Sequence, residues 1–214
     1  MYRLRVRFKR GTEIKFISHL DIIRLWQRAF RRAGIPVAYS EGFNPHPRLS
    51  LAAPLALGVT SEAELMDIVT TRGVSPHIFE ESVNRQLPSG IEILQVHLIA
   101  TTLPSLQSQI GYAEYRVEVE TEKDEKDIRS ALDSLLSREH LPWQHQRDTG
   151  PRSYDLRALI NDLWLISCRS GYCTIGMRLR CNSGGSGRPE QVVKALGFKK
   201  PHSIHRVRLI LATS

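Results

Sequence analysis

Twice along its length this chain runs through the same succession of hydrophobic periods, and that double pass restricts it to few folds. Residues 2–8, Tyr-Arg-Leu-Arg-Val-Arg-Phe, alternate strictly and read as a strand. Tyr2, Leu4, Val6 and Phe8 face one side; Arg3, Arg5 and Arg7 face the other. A helix follows, opened by Ser18 as N-cap with Asp21 three residues on. Ile22, Ile23, Trp26, Ala29, Phe30 and Ala33 form its apolar face, and Arg24, Arg28, Arg31 and Arg32 its opposite face. Gly34 ends the helix and Pro36 prevents its resumption. After a loop over 35–48, strands are expected at about 48–56 and 63–71. A helix is expected from about Pro76 to Leu87, with Ser75 as candidate cap and Pro88 as its stop, then a strand from Ile91 to Ala100. The order is β-α-β-β-α-β.

Residues 101–112 read as a connector, after which the order repeats. Tyr115 to Glu120 is a strand and Asp124 to Arg138 a helix. Strands are expected at about 142–147 and 154–167, although Tyr154-Asp-Leu-Arg-Ala-Leu-Ile also fits a helical turn. Tyr172 to Cys181 is a strand, Ser183 to Gly187 a flexible loop, Pro189 to Leu196 a short helix closed by Gly197, and Ile204 to Ala212 the last strand. Tyr-Arg-Leu-Arg-Val at 2–6 is echoed by Tyr-Arg-Val-Glu-Val at 115–119. The expected fold is α+β: two tandem ferredoxin-like domains with antiparallel sheets, over 1–101 and 112–214.

Charge is segregated along this order. Residues 1–50 carry eleven Lys or Arg against three acids, 51–140 seven against fifteen, and 141–214 twelve against four. Clustered positive charge on a folded domain attracts polyanions, commonly nucleic acid. No apolar run approaches the ~18 residues of a membrane helix. The charged alternation at 1–8 is wrong for a signal peptide, so a cytoplasmic location is expected. Cys168, Cys173 and Cys181 match no zinc or iron–sulfur spacing and are expected to be small buried residues. No metal or cofactor is implied.

The arginines Arg24, Arg28 and Arg31 repel one another on one helix face unless a phosphate-bearing partner meets them. Arg3, Arg5 and Arg7 are expected to extend that cationic surface. The loop Tyr39-Ser-Glu-Gly-Phe-Asn-Pro-His-Pro-Arg48 is held by Gly42 and two prolines. It offers Tyr39, Phe43, Asn44, His46 and Arg48, a set that suits unstacked bases or the burial of an inter-domain seam. Ser18, His19 and Asp21 are too close in sequence to act as a triad, and capping accounts for two of them. His19, His46 and Asp155 are the remaining candidates for acid–base chemistry. Asp155 and Arg157 also read as a structural ion pair or a ligand contact. The Ser-Gly-Gly-Ser-Gly loop at 183–187 lacks the Walker lysine.

Several segments resemble the radical-SAM-linked family, a bacterial domain of unknown function. They are Lys15-Phe-Ile-Ser-His-Leu-Asp21, Arg28-Ala-Phe-Arg-Arg-Ala-Gly34, Tyr39 to Ser50 and Ala53-Pro-Leu-Ala-Leu-Gly58. Arg147 to Arg157 and Gly187-Arg-Pro-Glu190 are weaker marks, with Arg147-Asp-Thr-Gly150 standing where the family usually has Lys-Lys-Gly. The resemblance implies a protein encoded beside, or fused to, a radical SAM enzyme, and implies no activity of its own. The chain lacks the Cys-x-x-x-Cys-x-x-Cys that would hold a cluster. Three readings follow: a non-catalytic RNA-binding accessory presenting tRNA or ribosomal RNA to that enzyme, a metal-independent RNA enzyme, and a protein-only partner subunit.

Overall fold

Leu4, Val6 and Phe8, alternate residues of strand β1 (Tyr2–Arg10), are almost wholly excluded from solvent, as their period requires. Tyr2, expected on the same side, lies at the strand end and is exposed. The structure, a computed structural model, describes residues 1–147 and 150–212. It divides into two units, Met1–Ile110 and Gly111–Ser214. Both are mixed α and β, with largely antiparallel strand pairing.

In the first unit β1 is followed by α1 (His19–Arg32), β2 (Leu49–Leu51), β3 (Thr60–Thr70), α2 (Pro76–Asn84) and β4 (Ile91–Ile99). The sheet order is β4-β1-β3-β2, every neighbouring pair antiparallel. The strand expected at 48–56 is shortened to three residues because the chain turns away at Ala52. Ser18 caps α1: its Oγ accepts the Asp21 N–H at 3.2 Å and donates to Asp21 Oδ2 at 2.7 Å. At the other end Gly34, at φ +67°, closes a Schellman turn, with Ile35 N–H donating to Phe30 O and Gly34 N–H to Arg31 O. Ser75 makes no side-chain cap to α2. That helix is fixed at its C-terminal end instead, where the Asn84 amide bonds both backbone groups of Ile93 on β4.

The core of this unit lies between the sheet and the two helices. Phe8 meets Trp26 edge-on at 4.9 Å, Trp26 stacks on Phe30 at 5.5 Å, and Phe30 reaches Phe79 at 5.6 Å. All four rings are buried, each contributing roughly 1.5–3 kcal/mol. The opposite face of the sheet is polar, and the segment after β4, with a 3-10 turn at Leu106–Gln109, bonds to it.

The second unit contains β5 (Ile110–Glu120), α3 (Glu125–Leu136), β6 (Pro142–Arg147), β7 (Gly150–Asp155), β8 (Ile160–Arg169), β9 (Tyr172–Asn182), β10 (Gly185–Ser186), α4 (Pro189–Ala195) and β11 (Ser203–Leu211). β9 lies beside β5, β5 beside β11, and β8 and β10 both pair with β9. The strand expected at 154–167 is two strands. Residues up to Asp155 pair with β6 as a separate two-stranded hairpin, a 3-10 turn covers Arg157–Leu159, and β8 begins at Ile160. Ser183 to Gly187, expected as a flexible loop, folds back through β10 onto Cys181 and Asn182.

Cysteine also departs from expectation. Ser170 and Gly171, both at positive φ, form the two-residue turn of the β8–β9 hairpin. The turn sets Cys168 directly opposite Cys173, and the two are joined by a disulfide rather than packed as separate thiols.

Candidate nucleic-acid interface

Helix α1 presents the clearest cationic surface. Arg24, Arg28, Arg31 and Arg32 are all exposed. Arg24 pairs with Asp21 at 3.2 Å, while Arg28, Arg31 and Arg32 make no ion pair among the described residues. The Asp21 carboxyl is held below its ordinary range, chiefly by the Ser18 hydroxyl, with Arg24 and Arg28 adding to the pull. Arg28 and Arg32 stand one turn apart and share a groove of about 370 Å³ with Arg85, which follows α2. Arg85, absent from the sequence-based set, pairs with Glu81. Its place beside Arg28 is not legible in the sequence, because the residue lies more than fifty positions from Arg28 and shares the groove only through the fold of the unit.

The sheet arginines take a different place from the one expected. Arg3 and Arg5 are engaged within the first unit rather than left as open cations. Both close on Asp67, which stands directly opposite Arg5 on β3. Arg3 Nη2 approaches Asp67 Oδ2 at 2.6 Å and Arg5 Nε approaches Oδ1 at 2.8 Å, with side-chain exposures of 11% and 13% against 3% for the acid. Arg3 donates further to the carbonyls of Leu103 and Pro104, and Arg5 to Gln109. A guanidinium covered by chain on this face loses its hydration, so a carboxylate and carbonyls must replace it. Arg7, farther along β1, remains exposed.

The loop at 39–48 is built from its base. Ser40 N–H donates to His46 O, His46 N–H to Ser40 Oγ, and Arg48 N–H to Ala38 O, closing the loop against β3. Gly42, at φ +114°, makes the tip turn. Tyr39, Phe43, Asn44, His46 and Arg48 are exposed, Phe43 completely. Arg48 lines a cavity of about 530 Å³ together with Arg3, Ser50 and Asp67. Two other sequence motifs of the first unit meet: Gly58 N–H donates to Lys15 O, and the exposed Phe16 ring lies close to Gly58, next in sequence to exposed Leu57.

His19 and His46 are exposed side chains of the first unit. Asp155, considered as their orienting group, is engaged within the second unit. Its Oδ2 meets His140 Nδ1 at 2.9 Å, and its Oδ1 accepts the N–H groups of Leu141 and Arg157. These bonds, the one to His140 foremost, hold its carboxyl below the ordinary range. Arg157 is not its ion-pair partner; it donates to the carbonyls of Leu136 and Ile160, closing the end of α3. Asp148 and Thr149 of the Arg147–Gly150 segment lie outside the described residues. Among the described residues no cluster of metal-ligating side chains occurs and no helix is long and apolar enough to cross a membrane.

No curated protein matches this sequence. One chain of the crystal structure of a Cbf5-Nop10-Gar1 complex superposes with a TM-score of 0.51 at 7% identity, covering 97% of this chain and 48% of that one. A chain of the H/ACA RNP bound to a substrate RNA containing 2'-deoxyuridine gives 0.48 at 7% identity, covering 97% and 47%. The chain thus spans about half the length of these solved chains, and the first likeness, at 7% identity, is one of fold alone. Sequence places it more closely: residues 3–189 match one family model, and the chain belongs to the family described as "Uncharacterized protein conserved in bacteria (DUF2344)".

Proposed function

We propose that this protein is a cytoplasmic RNA-binding accessory, without catalysis of its own, that presents tRNA or ribosomal RNA to a radical SAM enzyme. In this reading each unit is a ferredoxin-like βαββαβ module, the second carrying an inserted hairpin. The carrying observation is the exposed face of α1, where Arg28, Arg31 and Arg32 lack a carboxylate partner among the described residues. Guanidiniums left unpaired on one helix face repel one another and gain most from a ligand with closely spaced phosphates. Arg24 joins them, and the loop bearing Tyr39, Phe43, Asn44, His46 and Arg48 supplies rings and polar tips for unstacked bases. The partner enzyme docks elsewhere on the same unit, at Phe16 and Leu57, whose adjoining exposure suits a protein contact.

The test is a salt titration of labelled tRNA and ribosomal RNA fragments against the parent and an Arg24/Arg28/Arg31 triple Ala variant. Loss of three phosphate contacts lowers the slope of log K against log salt by about two units on single-stranded RNA. Equal affinity and equal slope in the two proteins exclude this face. Co-purification of an enzyme that survives nuclease, with no RNA bound by the chain alone, establishes the protein-only reading instead.

A further inference from the structure

The β6–β7 hairpin carries side chains that neither the core nor the α1 interface uses. Its register sets Trp143 opposite Tyr154 and His145 opposite Arg152. Alternate residues share a face, so an aromatic pair and a polar, cationic pair lie side by side, about 7 Å apart along the strands. That is the span of one nucleotide from base to phosphate. Arg188 adds a second cation at the same end, its Nη1 lying 3.4 Å from His145 Nε2. At the aromatic end a cleft of about 530 Å³ opens, lined by Trp143 and Tyr154 and bordered by His140. Its volume falls within the ~300–1,000 Å³ typical of small-ligand clefts.

Two features set this cleft apart from ordinary surface. Among the described residues β6 and β7 pair only with each other, so their half-buried aromatic rings belong to a two-stranded hairpin and not to the larger sheet. The polar groups around the rings are fixed: the Tyr154 hydroxyl donates to Gln191 at 2.6 Å, and Asp155 holds His140 through Nδ1. Nε2 of that ring is then left for the edge of a ligand.

We infer that this hairpin face is a nucleotide-binding site: the Trp143–Tyr154 pair stacks one unpaired base, His140 contacts its edge, and Arg152 with Arg188 holds the adjoining phosphate. The inference rests on the RNA-binding reading above and adds a second, stacking contact in the second unit. Residues 141–214 carry twelve basic against four acidic groups, which favours RNA over an acidic peptide only in combination with the ring platform.

The experiment uses the full chain with two probes, a single-stranded oligoribonucleotide and adenosine 5′-monophosphate. The mononucleotide quenches tryptophan emission in the parent and leaves the emission of Trp143→Phe unchanged. Trp143→Ala weakens the oligonucleotide about tenfold with its salt slope intact, Trp143→Phe restores most of the affinity, and Arg152→Ala/Arg188→Ala lowers the slope by about one unit. Parent affinity in both Trp143→Ala and the double Arg variant, with no quenching by the mononucleotide, overturns the inference. If Trp143→Ala fails to fold, the Phe and Arg variants and the quenching still decide it. Because the mononucleotide reads this cleft without α1, quenching that persists in the Arg24/Arg28/Arg31 variant supports the site even where the α1 interface has failed.

Discussion

At the scale of single residues the decisive acids are Asp67 and Glu114, each set between two arginines. Asp67 is bound by Arg3 and Arg5, all three largely buried. Glu114 is bound by Arg178 and Arg208, with exposures of 35% and 58% against 8% for the acid. Removing an acid from a buried cluster leaves desolvated cations without compensation, whereas exposed guanidiniums return to water. Asp67→Asn is therefore expected to cost about 3–5 kcal/mol and Glu114→Gln about 1–2 kcal/mol in urea unfolding. The Glu114 carboxyl is held below its ordinary value, first by Arg208 and then by Arg178, with burial opposing. A depressed folded-state pKa stabilises above the unfolded value and is lost as pH falls through the folded one. The gap in urea midpoint between parent and Glu114→Gln should accordingly be full at pH 6 and narrow steadily below about pH 4.5. A gap that widens on acidification contradicts this assignment. Sequence showed these residues as alternating charges on strands and nothing more. Arg5 and Asp67 lie 62 positions apart, and only strand register brings them opposite one another.

At the scale of elements the local signals were largely sufficient for helices and less so for strands. Ser18, Gly34 and the apolar face of α1 are legible because capping and periodicity act over a few residues. Ser18→Ala removes the bond to the Asp21 N–H and should lower stability by about 1 kcal/mol, measured by thermal or urea unfolding. In the β6–β7 hairpin the expected strand at 142–147 is β6, whereas β7 is not legible, because Asp155, Leu156 and Arg157 continue the alternation of a strand while the chain in fact turns. Asp155 ends the pairing by accepting three hydrogen bonds, a role that alternation does not reveal. On the next hairpin Trp164 faces Gly176 across β8 and β9, and its ring occupies the space a side chain would need, 2.0 Å from where a Cβ would stand. Gly176→Ala forces the ring to move and should cost about 3 kcal/mol, the upper part of the range for overpacked sites. A value near zero would show that the indole has room to shift.

At the scale of the molecule both units set an acid against an arginine across neighbouring strands, with the charges exchanged. In the first, Arg5 on β1 faces Asp67 on β3; in the second, Glu114 on β5 faces Arg178 on β9. Each unit centres on a strand with wholly buried alternate residues, Leu4 and Val6 in one and Val117 and Val119 in the other. Amides of β1 and β5 are thus expected to exchange slowest by hydrogen-exchange mass spectrometry, with residues 41–44 exchanging within seconds. Equally fast exchange in either central strand would deny that unit a core. The sequence by itself determined α1 with both its ends and the inward faces of the central strands, because those depend on neighbours two to four positions away. The tertiary structure decided which charges stay in water. Pairing β1 with β3 consumed Arg3 and Arg5, while α1 kept Arg28, Arg31 and Arg32 exposed. In the second unit the β6–β7 hairpin gave Asp155 to His140 and set Trp143 opposite Tyr154. The physical reason is that strand register and helix docking are set by burial summed over each whole unit, and no local window of sequence contains that sum.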